Sequence, residues 1–252
     1  MTAHKTTALV TGASSGLGQA FCRQLAERCE VIIAVARREE RLQALADSLA
    51  GQVEMHCVAA DLETVEGVTR TVESLRQQGP VDVLVNNAGF GTFGKFEELT
   101  LARQLAMVRL HIDASVELSR AALPFMRELG GGRIINVASL GAFAALKDSA
   151  VYGASKAFLV AFSRSLQEEV GDANIRIQCL CPGFVRTEMH DTEGFADFDR
   201  DRVPADLWMD ADAVVTASLA ALDGEQVVVI PGETNRRIAD KAIRSQLDSI
   251  EQ

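Results

Sequence analysis

Short, nearly uninterrupted apolar runs alternate along this chain with longer stretches whose apolar positions recur every three or four residues. The runs Thr6–Thr11, Glu30–Ala36, Val53–Ala59, Val81–Asn86, Arg133–Ser139, Ile175–Cys181 and Gln226–Ile230 mostly lack the strict alternation of a half-exposed strand. They read as strands buried on both faces, as in a parallel sheet. Between them, Leu101, Leu105, Val108 and Ile112 repeat at helical spacing, and so do Phe158, Phe162 and Leu166. Each set marks one face of a helix. This alternation predicts right-handed crossovers and an α/β fold: one doubly wound parallel sheet of about seven strands, with helices on both faces. Gly130-Gly131-Gly132 reads as a helix stop ahead of a strand. No repeat, low-complexity tract or linker interrupts residues 1–252, so a single domain is expected.

Composition narrows the function. The net charge of −10 argues against a nucleic-acid backbone as partner. No apolar stretch approaches the eighteen or so residues of a membrane helix, and the N-terminus carries no signal-peptide pattern; a cytoplasmic protein is expected. The odd count of five cysteines and four scattered histidines suggests neither a disulfide framework nor a metal site. Segment 188–212 concentrates acidic residues and reads most simply as a solvated surface.

The chemistry gathers where the predicted strands end. The first strand runs into Thr11-Gly12-Ala13-Ser14-Ser15-Gly16-Leu17-Gly18 and then a helix. Glycines there let the backbone turn sharply and approach a ligand, and the helix N-terminus offers N–H groups to a pyrophosphate. The second strand ends Val35-Ala36-Arg37-Arg38. NAD-binding folds place an acid there for the ribose hydroxyls. Two arginines in its place suit the adenosine 2′-phosphate of NADP, with Arg37, nearest the strand, the better partner. Asp61-Leu62 follows the third strand, and the carboxylate is placed to accept from the adenine amino group. The fourth ends Asn86-Asn87-Ala88-Gly89. In a sheet ordered 3-2-1-4-5-6-7, strands one and four adjoin where the winding reverses, so both glycine turns face one crevice.

The chain has one tyrosine, Tyr152, and Lys156 follows four residues later, on the same helix face. An ammonium beside a phenol favours the phenolate and makes a proton donor and acceptor usable near neutral pH. Ser139 ends the strand-like run upstream, where a hydroxyl would hold a carbonyl oxygen beside the tyrosine.

Taken together, Thr11-Gly12-x-x-x-Gly16-x-Gly18, Asn86-Asn87-Ala88-Gly89, Ser139, Tyr152-x-x-x-Lys156 and Pro182-Gly183 resemble the short-chain dehydrogenase/reductase superfamily in order and spacing, over roughly residues 5–232. The resemblance implies a Rossmann-type fold and hydride transfer between a nicotinamide and a carbonyl or alcohol. It implies that Tyr152 is the general acid/base, that Lys156 holds the nicotinamide ribose and lowers the tyrosine pKa, and that Ser139 polarises the substrate carbonyl. Pro182, Gly183, Val185 and Thr187 would line the nicotinamide, and Asn87, Ala88 and Gly89 would support the cofactor. One position departs from the family. Where it usually carries a catalytic Asn, thirteen residues before Pro124, this chain has His111. A backbone carbonyl there is thought to hold a water beside the lysine and survives the substitution; His111 could also join the proton relay.

Residues 184–210 are where such proteins build a substrate lid. Here they carry Phe184, Met189, Phe195, Phe198, Trp208 and Met209, with Phe90, Phe93 and Phe143 after the cofactor and catalytic motifs. A hydrophobic ketone or aldehyde, or the matching alcohol, is expected. NADP(H) is the expected cofactor; an NAD-linked alcohol or hydroxysteroid dehydrogenase and a non-catalytic cofactor-binding regulator are the alternatives. Helices 101–128 and 151–170 would pair across a two-fold axis into a homodimer or homotetramer. A charged amphipathic tail, about 233–252, is expected to pack on the domain or on a second subunit.

Overall fold

The computed structural model describes residues 4–250. Six strands, β1 (Thr7–Thr11), β2 (Val31–Ala36), β3 (Glu54–Ala59), β4 (Val83–Asn86), β5 (Gly132–Val137) and β6 (Ile175–Leu180), are joined at the edge by a short one, β9 (Val228–Val229). They form one sheet in the order β3-β2-β1-β4-β5-β6-β9, and every neighbouring pair is parallel. The expected architecture and strand order are present.

The strand sequences explain the two helical layers. Every residue of β1 and β2 is buried, and successive side chains point to opposite faces. Ala8, Val10, Ile32 and Ala34 pack with α1 (Gly16–Leu25), α2 (Glu39–Ser48) and α7 (Ala211–Ala220). Leu9, Ile33, Val35, Leu84 and Ile134 pack instead with α3 (Val65–Gln77), α5 (Ala114–Leu129) and α6 (Ala150–Val170). Each valine, leucine or isoleucine among them contributes roughly 1.5–3 kcal/mol by leaving water. Gly130 closes α5 in the left-handed conformation, φ 75°, and β5 begins at Gly132, as the glycine triplet predicts.

A buried polar network runs under the strand ends. Asn86 donates to Asn136 Oδ1 at 2.8 Å and to Ser119 Oγ at 3.1 Å, and Asn136 donates to Ser163 Oγ at 2.9 Å. It ties β4 and β5 to α5 and α6.

One helix differs from the sequence reading. The single helix expected over 101–128 is α4 (Leu101–Val108), a wide π turn (Arg109–Asp113) and α5. Such a turn carries an extra residue and often marks a site; here it carries His111. Within segment 184–210, β7 (Phe184–Val185) and β8 (Trp208–Met209) form a small parallel pair. The tail forms α8 (Glu233–Ile250), whose Ala239 joins the core beside Leu159, Cys179 and Cys181. It packs on its own domain. No helix among the described residues is long and apolar enough to cross a membrane.

Candidate active site

At the carboxyl ends of β1 and β4 one hydroxyl joins the two glycine turns. Thr11 Oγ1 accepts from the backbone N–H groups of Asn87 and Ala88, both at 2.9 Å, and donates to Val85 O at 3.2 Å. Asn87 Nδ2 donates to Thr11 O at 2.8 Å. Gly16 opens α1 at φ 52°, and a Cβ there would meet Thr187 at 2.9 Å, so this backbone needs glycine both for its conformation and for the close approach. Ser15 stands at the N-cap of α1, yet its side chain makes no capping bond; its hydroxyl accepts from Arg38 at 3.0 Å instead. The first N–H groups of α1 therefore keep their capacity for an anion.

These turns floor a cleft of about 1040 Å³. Its walls include Gly12, Ser14, Ser15, Gly16, Leu17, Arg37, Arg38, Asp61, Leu62, Asn87, Ala88, Gly89, Ser139, Tyr152, Lys156, Pro182, Gly183, Val185 and Thr187. Two site candidates lie outside the walls. Gly18 sits beneath them, where a Cβ would meet Asn87 Nδ2 at 2.7 Å. His111 is 1 % exposed behind Gly89.

The arginines divide the cleft rim differently from the sequence expectation. Arg37 turns outward and pairs with Glu63 at 3.0 Å. Arg38 turns inward, donating to Ser14 Oγ and Ser15 Oγ, both at 3.0 Å, and pairing with Glu188. Spacing from the strand favours Arg37; the geometry puts Arg38 on the glycine-rich turn. Asp61 uses one carboxylate oxygen to accept its own turn's Glu63 N–H at 3.0 Å. An anionic dinucleotide fits this end: an uncapped helix terminus, two serine hydroxyls and a guanidinium converge where the backbone carries no bulk.

Deeper in, Ser139 Oγ accepts from Gly141 N–H at 3.1 Å, which leaves its own O–H to donate into the cleft. Lys156 is 4 % exposed and donates to Val137 O at 2.9 Å. Burial holds its pKa down at about 8. Tyr152 Cβ and ring lie in the first turn of α6, with the Lys156 Nζ 5.8 Å from the ring centroid. Burial raises the phenol's pKa, and the Ser139 hydroxyl beside it pulls the other way. The lysine-driven lowering expected from sequence is not found: burial dominates the shift, and the ammonium is turned to the Val137 carbonyl.

His111 has both ring nitrogens engaged. Nε2 accepts from Phe90 N–H at 3.2 Å, which places the proton on Nδ1, 2.8 Å from Ser155 Oγ. Ser155 in turn donates to Tyr152 O at 2.8 Å. Burial and the nearby Lys156 charge push the imidazole pKa well below its usual value, so the ring is neutral. The chain from Phe90 through His111 and Ser155 ends on the backbone of the tyrosine.

Segment 184–210 covers the far end. Phe93 N–H donates to Gly194 O at 2.7 Å, pinning it to the loop after β4. Phe184, Phe195, Phe198 and Trp208 surround His190, with ring centroids 5.0 to 6.0 Å away. From below, α8 contributes Asn235, Ile238, Ala239 and Ala242 to the wall, which the sequence pattern did not single out.

The family model described as short chain dehydrogenase matches residues 6–195. The chain belongs to the short-chain dehydrogenase family. This short-chain dehydrogenase is 33 % identical over 211 residues to an uncharacterised oxidoreductase of Staphylococcus epidermidis, covering 83 % of the chain and 89 % of the relative. A short-chain dehydrogenase from Sphingobium yanoikuyae in complex with NADPH superposes with TM-score 0.84 at 32 % identity, over 97 % of this chain and 95 % of that one. A bulky-bulky ketone specific alcohol dehydrogenase from Comamonas testosteroni gives TM-score 0.80 at 29 % identity, over 96 % and 94 %.

Proposed function

We propose that this oxidoreductase uses NADP(H) to interconvert a hydrophobic ketone or aldehyde with its alcohol. The observation that carries the reading is one cleft lined in three parts: Ser14, Ser15 and Arg38 at a helix terminus, Ser139, Tyr152 and Lys156 in the middle, and aromatic side chains beyond. The NADPH complex and the ketone-specific enzyme among its structural neighbours support it.

The cofactor would lie along the β1–α1 turn with its pyrophosphate on the α1 terminus, and it supplies or takes the hydride. Ser139 donates its free O–H to the substrate oxygen and fixes it beside Tyr152. Tyr152, kept protonated by burial, delivers the proton to that oxygen. Lys156 holds the cofactor ribose and replenishes the proton. His111 is assigned a positioning role: neutral and doubly bonded, it locks Tyr152 through Ser155. The aromatic end excludes water and selects apolar groups.

Fluorescence titration tests the cofactor assignment: NADPH is expected to bind at least about tenfold tighter than NADH. Equal affinities would remove the NADP(H) reading, and binding of neither would remove the dehydrogenase reading itself. The oligomer remains part of the proposal. Leu101, Leu105 and Phe158 are 67 %, 44 % and 37 % exposed on α4 and α6, an apolar face that a second copy would cover. Light scattering should give a dimer or tetramer mass; a monomer at micromolar concentration would refute it.

A further inference from the structure

Glu188 is the first residue of the cleft-covering segment beyond Thr187, and it reaches back across the cofactor end. One carboxylate oxygen pairs with Arg38, and the other accepts from Arg41 Nη1 at 2.7 Å. Arg38 meanwhile bridges the hydroxyls of Ser14 and Ser15. The cluster is an anion receptor with a carboxylate of the same chain seated in it. Partial burial works against that charge, yet Arg38, Arg41 and the Ser15 hydroxyl hold the Glu188 pKa down at about 2.

We infer that Glu188 is a cofactor-specificity residue: an internal carboxylate that competes with the adenosine 2′-phosphate for Arg38. The inference rests on the NADP(H) reading. A phosphate monoester brings more charge and three acceptor oxygens to the same guanidinium and hydroxyls. It displaces the carboxylate. A ribose hydroxyl has neither, so a cofactor without the phosphate leaves the Arg38–Glu188 pair closed. Glu188 thus lowers affinity for the phosphorylated cofactor and leaves affinity for the unphosphorylated one unchanged. Because it opens the turns over 188–195 that carry His190 and Phe195, its displacement also loosens the cover over the substrate end.

The test uses two probes that differ only in the 2′-phosphate, adenosine 2′,5′-bisphosphate and adenosine 5′-monophosphate, by calorimetry on the parent and on Glu188→Gln. The carboxamide keeps the shape and removes the charge, and a thermal melt confirms that the variant folds. The bisphosphate should bind about three- to tenfold tighter to the variant, with the monophosphate unchanged. In the parent, amide hydrogen exchange over 188–195 should speed up with saturating bisphosphate and not with monophosphate. Unchanged or weaker bisphosphate binding, or an equal gain for both probes, overturns the role of Glu188. A parent that prefers the bisphosphate alongside a neutral variant leaves the NADP(H) reading standing and removes only this inference. A parent with no preference removes both.

Discussion

Tyr152→Phe should bind NADPH within about a factor of two of the parent and turn over about a thousandfold more slowly. The substitution deletes one oxygen and leaves the ring packed where it was. The titratable and hydroxyl groups nearest that oxygen do not replace it. Ser139 is placed to hold the substrate oxygen and is a poor acid, His111 has no nitrogen in the cleft, and Lys156 is turned to the Val137 carbonyl. Stopped-flow turnover and cofactor titration on the same preparation separate the two effects; retained turnover would remove the acid/base assignment. The parent's pH profile follows from the phenol's raised pKa. Carbonyl reduction needs the protonated phenol and should hold its rate through neutral pH, whereas alcohol oxidation needs the phenolate and should climb with pH.

Lys156→Met should abolish most turnover and yet raise stability at pH 7 by about 2 kcal/mol. Burial holds the lysine pKa at about 8 against an ordinary 10.5, and each unit of that depression is worth about 1.4 kcal/mol. Losing the hydrogen bond to Val137 O gives back about 1 kcal/mol. The sign with pH is fixed by linkage. Below pH 8 both folded and unfolded chains carry the charge, and the folded chain bears its full desolvation penalty. Between pH 8 and 10.5 the folded lysine sheds its proton while the unfolded one keeps it, so the parent gains stability as pH rises through that window. The variant's advantage should therefore be largest at neutral pH and shrink toward pH 10. Denaturant melts at pH 7 and pH 10 measure it. A less stable variant at pH 7 would mean that the lysine is well solvated by its surroundings.

The alternation of apolar runs was enough to place the seven strands of the main sheet, because runs this short set between helical periods fit strands better than helices; their order was an expectation of the doubly wound fold, and the sheet has it. Ser139, Tyr152 and Lys156 could be found because their spacing is local to one strand end and one helix turn. What escaped depends on partners distant in sequence. Glu188 looks solvated within its acidic segment, and only folding sets it against Arg38 and Arg41, about 150 residues earlier. The π turn at 109–113 is invisible because the apolar period runs through it; the bonds of the His111 ring to Phe90 and Ser155 accompany the break. Arg37 and Arg38 are adjacent, and which one faces inward is decided by the turn into α2.

The wall that α8 gives the cleft has a consequence for how such a chain diversifies. Ile238, Ala239 and Ala242 line the cleft, while the proposed proton-handling residues Tyr152 and Lys156 stand on α6. Asn235 anchors the start of the helix through Pro231 O at 2.9 Å. Substitutions further along α8 can therefore narrow or reshape the substrate end without disturbing the reacting groups. In an evolving lineage, or in an engineered library, preference for a new ketone can be sampled there while the chemistry is inherited intact.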